Sequence, residues 1–113
     1  MIRVAAVALV LLAGARTPHD AVHRFIADKT PADACAQLSP AYKASITKQY
    51  GPCLAGMRVQ PKATHITTSR ERITGAKATV DASYDANGGH FRERYTLIRS
   101  RGIWLISGSR QLP

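Results

Sequence analysis

The chain is 113 residues long, which is enough for one small domain with a modest core and excludes a large multidomain enzyme. Lys and Arg number 16 against 7 Asp and Glu, so the formal net charge at pH 7 is +9 and anionic partners are favoured. The sequence has no glycine-rich phosphate loop, Gly-x-Ser-x-Gly elbow, Cys-x-x-Cys pair or metalloprotease helix, which excludes the enzyme classes that these motifs mark.

Residues 1–15 predict a secretory signal peptide. Arg3 precedes an uncharged, mostly apolar run, and the segment ends in Ala13-Gly14-Ala15, a small-x-small pattern typical of a cleavage site. The run is shorter than the roughly 20 residues that span a bilayer as a helix, so an uncleaved anchor is the weaker interpretation. We therefore expect cleavage after Ala15, a single mature domain over residues 16–113, and a secreted or cell-envelope location without a stable membrane span.

Three helix starts are predicted, each by a hydroxyl residue followed by proline. The hydroxyl can cap the first turn, and proline at the first helical position loses no hydrogen bond that the helix needs. The starts are Thr17-Pro18, Thr30-Pro31 and Ser39-Pro40. The first helix should end near Asp28, and Gly51-Pro52 should end the last one.

His19 and His23 lie four residues apart on the first predicted helix, a spacing that can chelate a metal ion. No third ligand is evident in the sequence, and two exposed helical histidines are usually surface residues. We predict no metal site and no cofactor.

Cys35 and Cys53 are the only cysteines. They could form a disulfide, or they could be two buried thiols, as is usual in a cytosolic chain. The predicted signal peptide implies an oxidising destination and therefore favours the disulfide.

Beyond residue 62 the chain is predicted to form strands, after a segment 54–61 with at most one short turn of helix. Residues 63–69 are rich in threonine, residues 76–85 alternate apolar and polar side chains, and Asn87-Gly88 is a strong hairpin signal. The last two predicted strands are residues 90–100 and Ile103–Ser107. Helices followed by an antiparallel meander predict an α+β fold with the helices on one face of a curved sheet.

A turn centred on Asn87-Gly88 also predicts the register of the hairpin. Tyr84 should oppose Phe91 and Val80 should oppose Tyr95 on the helix-facing side, whereas Asp81 should oppose Arg94 on the other side. A register shift of one residue would separate Tyr84 and Tyr95 onto opposite faces.

The same alternation places Glu93 on the helix-facing side, where a carboxylate among aromatic rings could act as a base or a ligand group. The candidate pocket residues are Glu93, Tyr84, Tyr95, Trp104 and His65. The alternative is that Glu93 is solvated at the open end of the sheet or paired with an arginine such as Arg99. No second acid, lysine or histidine shares its register on the hairpin, so we predict no catalytic residues.

Basic residues are concentrated in the second half of the chain. The candidate basic surface consists of Lys77, Arg92, Arg94, Arg99 and Arg101. Aromatic side chains beside these arginines would favour base stacking with nucleic acid, but alternation turns Phe91 and Tyr95 towards the core. A basic surface that only keeps the protein soluble is also possible.

The run AVHRFIADKTPADACAQLSPAYKASITKQYGPCLAGM and the turn and strand Arg101-Gly102-Ile103-Trp104-Leu105-Ile106 resemble small secreted proteins of the nuclear transport factor 2-like, or cystatin-like, superfamily. The resemblance implies a helix, a cysteine-bearing helical segment and a curved antiparallel sheet that together form a cone. Members include isomerases, dehydratases, transport adaptors and exported proteins with no known reaction, so the fold does not choose a function. No acid–tyrosine pairing can be carried over from the isomerases.

We expect an exported, disulfide-stabilised, non-catalytic binding or accessory domain whose basic surface contacts an anionic envelope component or protein. One alternative is a small-molecule-binding protein or enzyme with a pocket between helices and sheet. A nucleic-acid-binding domain is the other. The sequence does not define the oligomeric state.

Overall fold

The computed structural model describes residues 15–27, 30–53 and 62–113. Three helices precede a four-stranded antiparallel sheet with the strand order β1-β2-β3-β4, which confirms the predicted α+β class. The elements are α1 (Pro18–Ile26), α2 (Pro31–Ala36), α3 (Pro40–Tyr50), β1 (Thr64–Thr74), β2 (Lys77–Ala86), β3 (Gly89–Ser100) and β4 (Ile103–Gln111). Most of the predicted signal peptide, the end of the first predicted helix at Asp28 and the segment 54–61 lie outside the described residues. Within the described ranges, no helix is both long and apolar enough to cross a membrane.

Each helix begins as predicted, with a hydroxyl residue before proline. The hydroxyl oxygen accepts a hydrogen bond from the backbone N–H three residues further on, at 3.1 to 3.2 Å. The pairs are Thr17 with Asp20, Thr30 with Asp33, and Ser39 with Tyr42. A cap of this kind contributes about 1 kcal/mol to the stability of the protein. Because proline has no backbone N–H, it also leaves one fewer unpaired donor in the first turn.

The predicted disulfide between Cys35 and Cys53 is present, with the two Cα atoms 6.1 Å apart. Gly51 has φ +86°, a left-handed conformation that ends α3 and directs Pro52 and Cys53 back towards α2. Both cysteines are buried in the core. The bridge closes a loop of 18 residues, which in the chain-entropy model contributes about 3 kcal/mol.

The β2–β3 hairpin has the predicted register. Asn87 and Gly88 have φ +52° and +77°, as the tight turn requires, and Tyr84 lies opposite Phe91 with the rings stacked at 5.6 Å. Val80 opposes Tyr95 in the same way. The alternation prediction is therefore confirmed for these two strands.

The core lies between the helices and one face of the sheet. Val22 of α1 and Leu38, between α2 and α3, pack with Val80, Leu97 and Ile106 of the sheet, and all five are almost completely buried. At about 25 cal/mol per Å² of apolar surface, each such side chain contributes about 1.5–3 kcal/mol. In α3 the apolar side chains of Tyr42 and Ile46, four residues apart, are only partly buried against the core.

The outer edge of β4 is paired with earlier parts of the chain. Leu38 forms an isolated parallel bridge with Ile106, whose N–H donates to the Gln37 carbonyl at 2.7 Å. The N–H of Trp104 donates to the carbonyl of Ala15 at 2.9 Å. These contacts satisfy backbone groups that an open edge would expose. The strand extends to Gln111, beyond the predicted end at Ser107, because its last residues pair with Glu93–Thr96 of β3.

Strand β1 extends to Thr74, beyond the predicted end at Ser69, and its pairing with β2 is irregular between Thr64 and Thr67 and again at a bulge after Ser69. Ser69 pairs with Asp81 and Arg72 pairs with Thr79, so Arg70 and Glu71 together oppose a single residue of β2. Arg70 has φ +52°. The extra residue turns Arg72 to the same face as Ser69, a reversal that strict alternation does not predict.

Candidate functional site

The sheet has a helix-facing side and an opposite side, which we call the outer face. Side chains of Thr79 and Asp81 in β2 and of Arg94 and Thr96 in β3 belong to the outer face, since their neighbours in the sequence point into the core. The basic residues of the outer face are Arg70, Arg72, Lys77, Arg92, Arg94 and Arg110. This face therefore carries much of the positive charge of the described chain.

Three of the predicted basic-surface residues, Lys77, Arg92 and Arg94, lie on the outer face. Arg101 lies in the turn between β3 and β4. Arg99 is on the helix-facing side, with its guanidinium 5.5 Å from the centroid of the Trp104 ring. Arg99 thus covers a core tryptophan by a cation–π contact and adds nothing to the outer face.

Asp81 lies at the centre of the outer face and is only 6% exposed. Arg94 donates to it from two nitrogens, Nε to Oδ1 at 2.7 Å and Nη2 to Oδ2 at 3.1 Å. These hydrogen bonds are the main reason that the pKa of Asp81 lies below its usual range, and the charges of Arg94, Arg70 and Arg92 lower it further. Asp81 therefore stays ionised at neutral pH and fixes the orientation of Arg94.

A cavity of about 220 Å³ opens above this ion pair. We call it the arginine notch, and its lining residues are Arg70, Arg72, Thr79, Asp81 and Arg94. The bulge in β1 places both Arg70 and Arg72 in it. The sequence-based list of basic-surface residues does not include these two arginines, and regular alternation from Ser69 would turn both towards the helices.

A wider depression of about 540 Å³ adjoins the notch and shares Arg72 and Thr79 with it. We call it the threonine groove, and its other side chains on the outer face are Thr74, Lys77, Thr96, Ile98 and Ser107. It offers hydroxyl groups that both donate and accept hydrogen bonds beside one apolar side chain.

On the helix-facing side the structure brings together three of the predicted pocket residues. The Tyr84 hydroxyl donates a hydrogen bond to Oε1 of Glu93. Tyr95 lies two residues from Glu93 along β3, on the same face of the sheet, and is buried in the core. Burial is the main reason that the pKa of Tyr84 and that of Tyr95 are raised, and the neighbouring Glu93 raises both further. Both phenols therefore stay protonated and can act as hydrogen-bond donors.

The other two predicted pocket residues lie elsewhere. Trp104 pairs with Arg99, six positions along β3 from Glu93, which corresponds to about 20 Å at the usual rise of a strand. His65 is near the start of β1, where its Nδ1 lies 3.2 Å from Oδ2 of Asp85. The geometry thus supports a smaller cluster of Glu93, Tyr84 and Tyr95.

Asp85 is shared by two histidines at the hairpin end of the sheet, since Nδ1 of His90 lies 2.7 Å from its Oδ1. The hydrogen bond from His90 is the main reason that the pKa of Asp85 is lowered. Of the helical histidines, His19 contacts Glu71 at 3.0 Å, whereas His23 is exposed. No group of three His, Cys, Asp or Glu side chains in the described part of the chain is placed to hold a metal ion.

Three helices packed against one side of a four-stranded antiparallel sheet define an α+β fold. This fold is of the nuclear transport factor 2-like type. A crystal structure of an NTF2-like protein of unknown function from Shewanella baltica is similar over 99% of this chain and 96% of that one, with 13% identity and a TM-score of 0.51. The solution structure of a SEC-C motif containing protein from Rhodopseudomonas palustris matches 91% of this chain and 87% of that one, with 18% identity and a TM-score of 0.63. At these identities the likeness concerns the fold alone. No protein-family model matches the chain, and neither does any curated protein.

Proposed function

We propose that this protein is an exported, disulfide-stabilised binding domain without catalysis, which holds an anionic partner on the outer face of its sheet. The observation that carries the proposal is the charge of that face. Among the described residues it presents six Arg and Lys side chains against two acids, Asp81 and Asp85. An extended face of one sign attracts partners of the opposite sign and speeds their association.

Two features support export. Residues 1–15 have the pattern of a secretory signal peptide, and Cys35 and Cys53 form a disulfide that an oxidising compartment would preserve. In such a compartment the available anions are acidic lipids, envelope polymers and acidic proteins, whereas nucleic acid is less accessible. An anionic envelope component or protein is therefore the proposed partner.

The chemistry of the notch supports binding over catalysis. Its arginines remain protonated at all physiological pH values, Thr79 does not titrate, and the pKa of Asp81 is lowered. No side chain that lines the notch can therefore exchange a proton near pH 7. Fixed donors of this kind hold a negative group, but they do not supply a general acid or base.

Retention on immobilised heparin, a polyanion, tests whether the outer face is the contact surface. Arg92→Glu combined with Arg110→Glu reverses two charges on that face, and Lys43→Glu combined with Lys48→Glu reverses two charges on α3 as a matched control. The outer-face variant should elute at clearly lower salt than the control variant. Equal elution of the two variants would mean that total charge alone determines retention and would contradict the proposal.

A second candidate function is favoured by the contact between Tyr84 and Glu93. A carboxylate and a protonated phenol on the helix-facing side of the sheet could hold a small polar ligand between helices and strands. Titration with a library of small uncharged ligands, followed by amide NMR shifts, should then move the signals of Tyr84, Glu93 and Tyr95 together. Shifts confined to other residues would rule out this second candidate.

A further inference from the structure

We propose that the arginine notch binds a phosphate monoester, and that the threonine groove beside it holds the sugar that bears the phosphate. The inference rests on the proposed function, because it names the chemical class of the anionic partner. A phosphate-bearing glycan of the cell envelope has this chemistry.

The charge of the notch fits a doubly charged group. Three guanidinium groups and one carboxylate line it, which leaves two positive charges. A phosphate monoester carries about −1.5 to −2 at pH 7, so it neutralises the notch almost completely. A sulfate ester or a carboxylate carries one negative charge and would leave the notch half neutralised.

The hydrogen-bond donors fit a tetrahedral group. Asp81 accepts from Nε and Nη2 of Arg94, so this guanidinium is fixed in orientation while Nη1 remains directed away from Asp81. Among the described residues, Arg70 and Arg72 donate to no carboxylate. Forked guanidinium donors match pairs of phosphate oxygens, and the three together can reach several oxygens of one group.

The cavity is large enough for such a group. Its volume of about 220 Å³ is several times the roughly 30 Å³ that a water molecule occupies in the liquid. A phosphate group therefore fits without moving the backbone.

The bulge in β1 provides a further reason to assign binding to the notch. Bulges on edge strands often only disrupt edge pairing, and β1 is an edge strand. Arg70 has φ +52°, and His65 at the other irregularity of β1 has φ +54°, so this left-handed conformation belongs to the irregular pairing itself. What distinguishes Arg70 is that it lies beside a second arginine and a buried carboxylate. The bulge therefore contributes to the notch by placing Arg70 on the same face as Arg72 and Arg94.

The groove determines what the phosphate is attached to. It runs from Arg72 and Thr79 past Thr74, Thr96 and Ser107, so hydroxyl groups continue directly from the notch. Hydroxyl side chains exchange hydrogen bonds with the hydroxyls of a sugar, and Ile98 offers an apolar contact to its C–H face. Thr96 and Ser107 form a hydrogen bond with each other at 3.4 Å, whereas a phosphate attached to a purely apolar chain would leave the hydroxyls of Thr74 and Thr79 without a partner on the ligand.

Isothermal titration calorimetry of the mature protein at pH 7.5 tests the proposal with four probes: glucose 6-phosphate, glucose 6-sulfate, inorganic phosphate and glucose. Glucose 6-phosphate should bind most tightly, glucose 6-sulfate at least about fivefold more weakly, and glucose not measurably. Equal affinity for the two esters would overturn the charge match. Inorganic phosphate binding as tightly as glucose 6-phosphate would overturn the role of the groove.

Variants locate the site. Arg70→Gln and Arg72→Gln should each weaken the binding of glucose 6-phosphate at least about tenfold, whereas Lys48→Gln, an exposed position on α3, should change it less than about threefold. Thr74→Val should weaken the binding of glucose 6-phosphate and leave the affinity for inorganic phosphate unchanged. If one arginine variant unfolds, the other still decides the outcome. Unchanged affinity of a folded variant for glucose 6-phosphate would overturn the assignment of the binding site to the notch.

The two proposals can fail separately. If glucose 6-phosphate does not bind while the heparin elution still depends on Arg92 and Arg110, the phosphate assignment is wrong and the anionic-partner proposal stands. If heparin retention is also insensitive to the outer face, both are wrong.

Discussion

Arg94 and Asp81 face each other across β2 and β3 and form a two-point ion pair on the outer face, with nitrogen–oxygen distances of 2.7 and 3.1 Å. The carboxylate is 6% exposed, although it lies on the side of the sheet away from the core. Arginine side chains from β1 and β3 surround it. The pair therefore joins two strands and also holds mutually repelling guanidinium groups close together.

Asp81→Asn should destabilise the protein by about 2 kcal/mol, because it removes hydrogen bonds to a charged partner and leaves the arginines of the notch without their counter-charge. Chemical denaturation at pH 7 measures the change in the free energy of unfolding. Asp33→Asn, at an exposed position in α2, is the control and should cost about 0.5 kcal/mol. A loss at Asp81 no larger than that of the control would contradict the structural role of the pair.

The contribution of Asp81 should vanish in acid. Its pKa in the folded protein lies below the ordinary aspartate value of 3.8, so the unfolded chain takes up the proton first as the pH falls. The stabilisation is present above about pH 4, near the ordinary pKa of aspartate, and is lost as the pH falls through the folded value. The difference in stability between the native chain and Asp81→Asn should therefore shrink between pH 5 and pH 2.5. A difference that stays constant across this interval would show that the carboxylate is not the titrating group.

The hairpin shows how far local sequence signals determine this fold. Asn87-Gly88 set the turn, the turn set the register, and the register placed Asp81 opposite Arg94 and Tyr84 beside Glu93. Helix starts and the disulfide partners were likewise predictable, since each depends on one or two residue types in a fixed spacing. Half of the basic outer face followed from the same alternation.

The arginine notch could not be predicted in this way. It depends on a bulge in β1, a strand in which polar and charged residues occupy both faces, so alternation offers no signal for where the register shifts. On the helix-facing side, Glu71 within the bulge contacts His19 of α1, a contact between distant parts of the sequence. The pairing of Arg99 with Trp104 depends likewise on the register of β4, which shifts at Ser107, opposite Thr96 and Leu97.

Cys35→Ser should lower the melting temperature by about 12 °C or more under oxidising conditions. The bridge contributes about 3 kcal/mol, and about 1 kcal/mol shifts the melting temperature of a domain of this size by about 4–8 °C. The native chain treated with a reductant is the matched control and should melt at the same temperature as the variant. Identical melting of the oxidised native chain and the variant would mean that the bridge does not stabilise the fold.

Gly108→Ala should destabilise the sheet, because a Cβ at this position would lie 2.9 Å from Oγ1 of Thr96 on the neighbouring strand. The strand has to shift or Thr96 has to change its rotamer, and overpacking of this kind costs about 1–3 kcal/mol. Combining the change with Thr96→Ser, which keeps the hydroxyl but frees its rotamer, should recover part of the loss in chemical denaturation. No loss in the single variant would mean that β4 adapts freely at this point.

Ala15 couples the predicted processing site to the edge of the sheet. It is 1% exposed, and its carbonyl accepts a hydrogen bond from the N–H of Trp104 at 2.9 Å. Cleavage after Ala15 would remove this acceptor, so a chain that begins at Arg16 should be less stable than one that begins at Ala13 by about 1 kcal/mol. Hydrogen exchange gives a local measurement, since the Trp104 amide should exchange faster in the shorter chain while that of Ile106, bonded to Gln37, should not change. Equal protection of Trp104 in both chains would show that another group replaces Ala15, and mass spectrometry of the natural product would then establish whether Arg16 is its first residue.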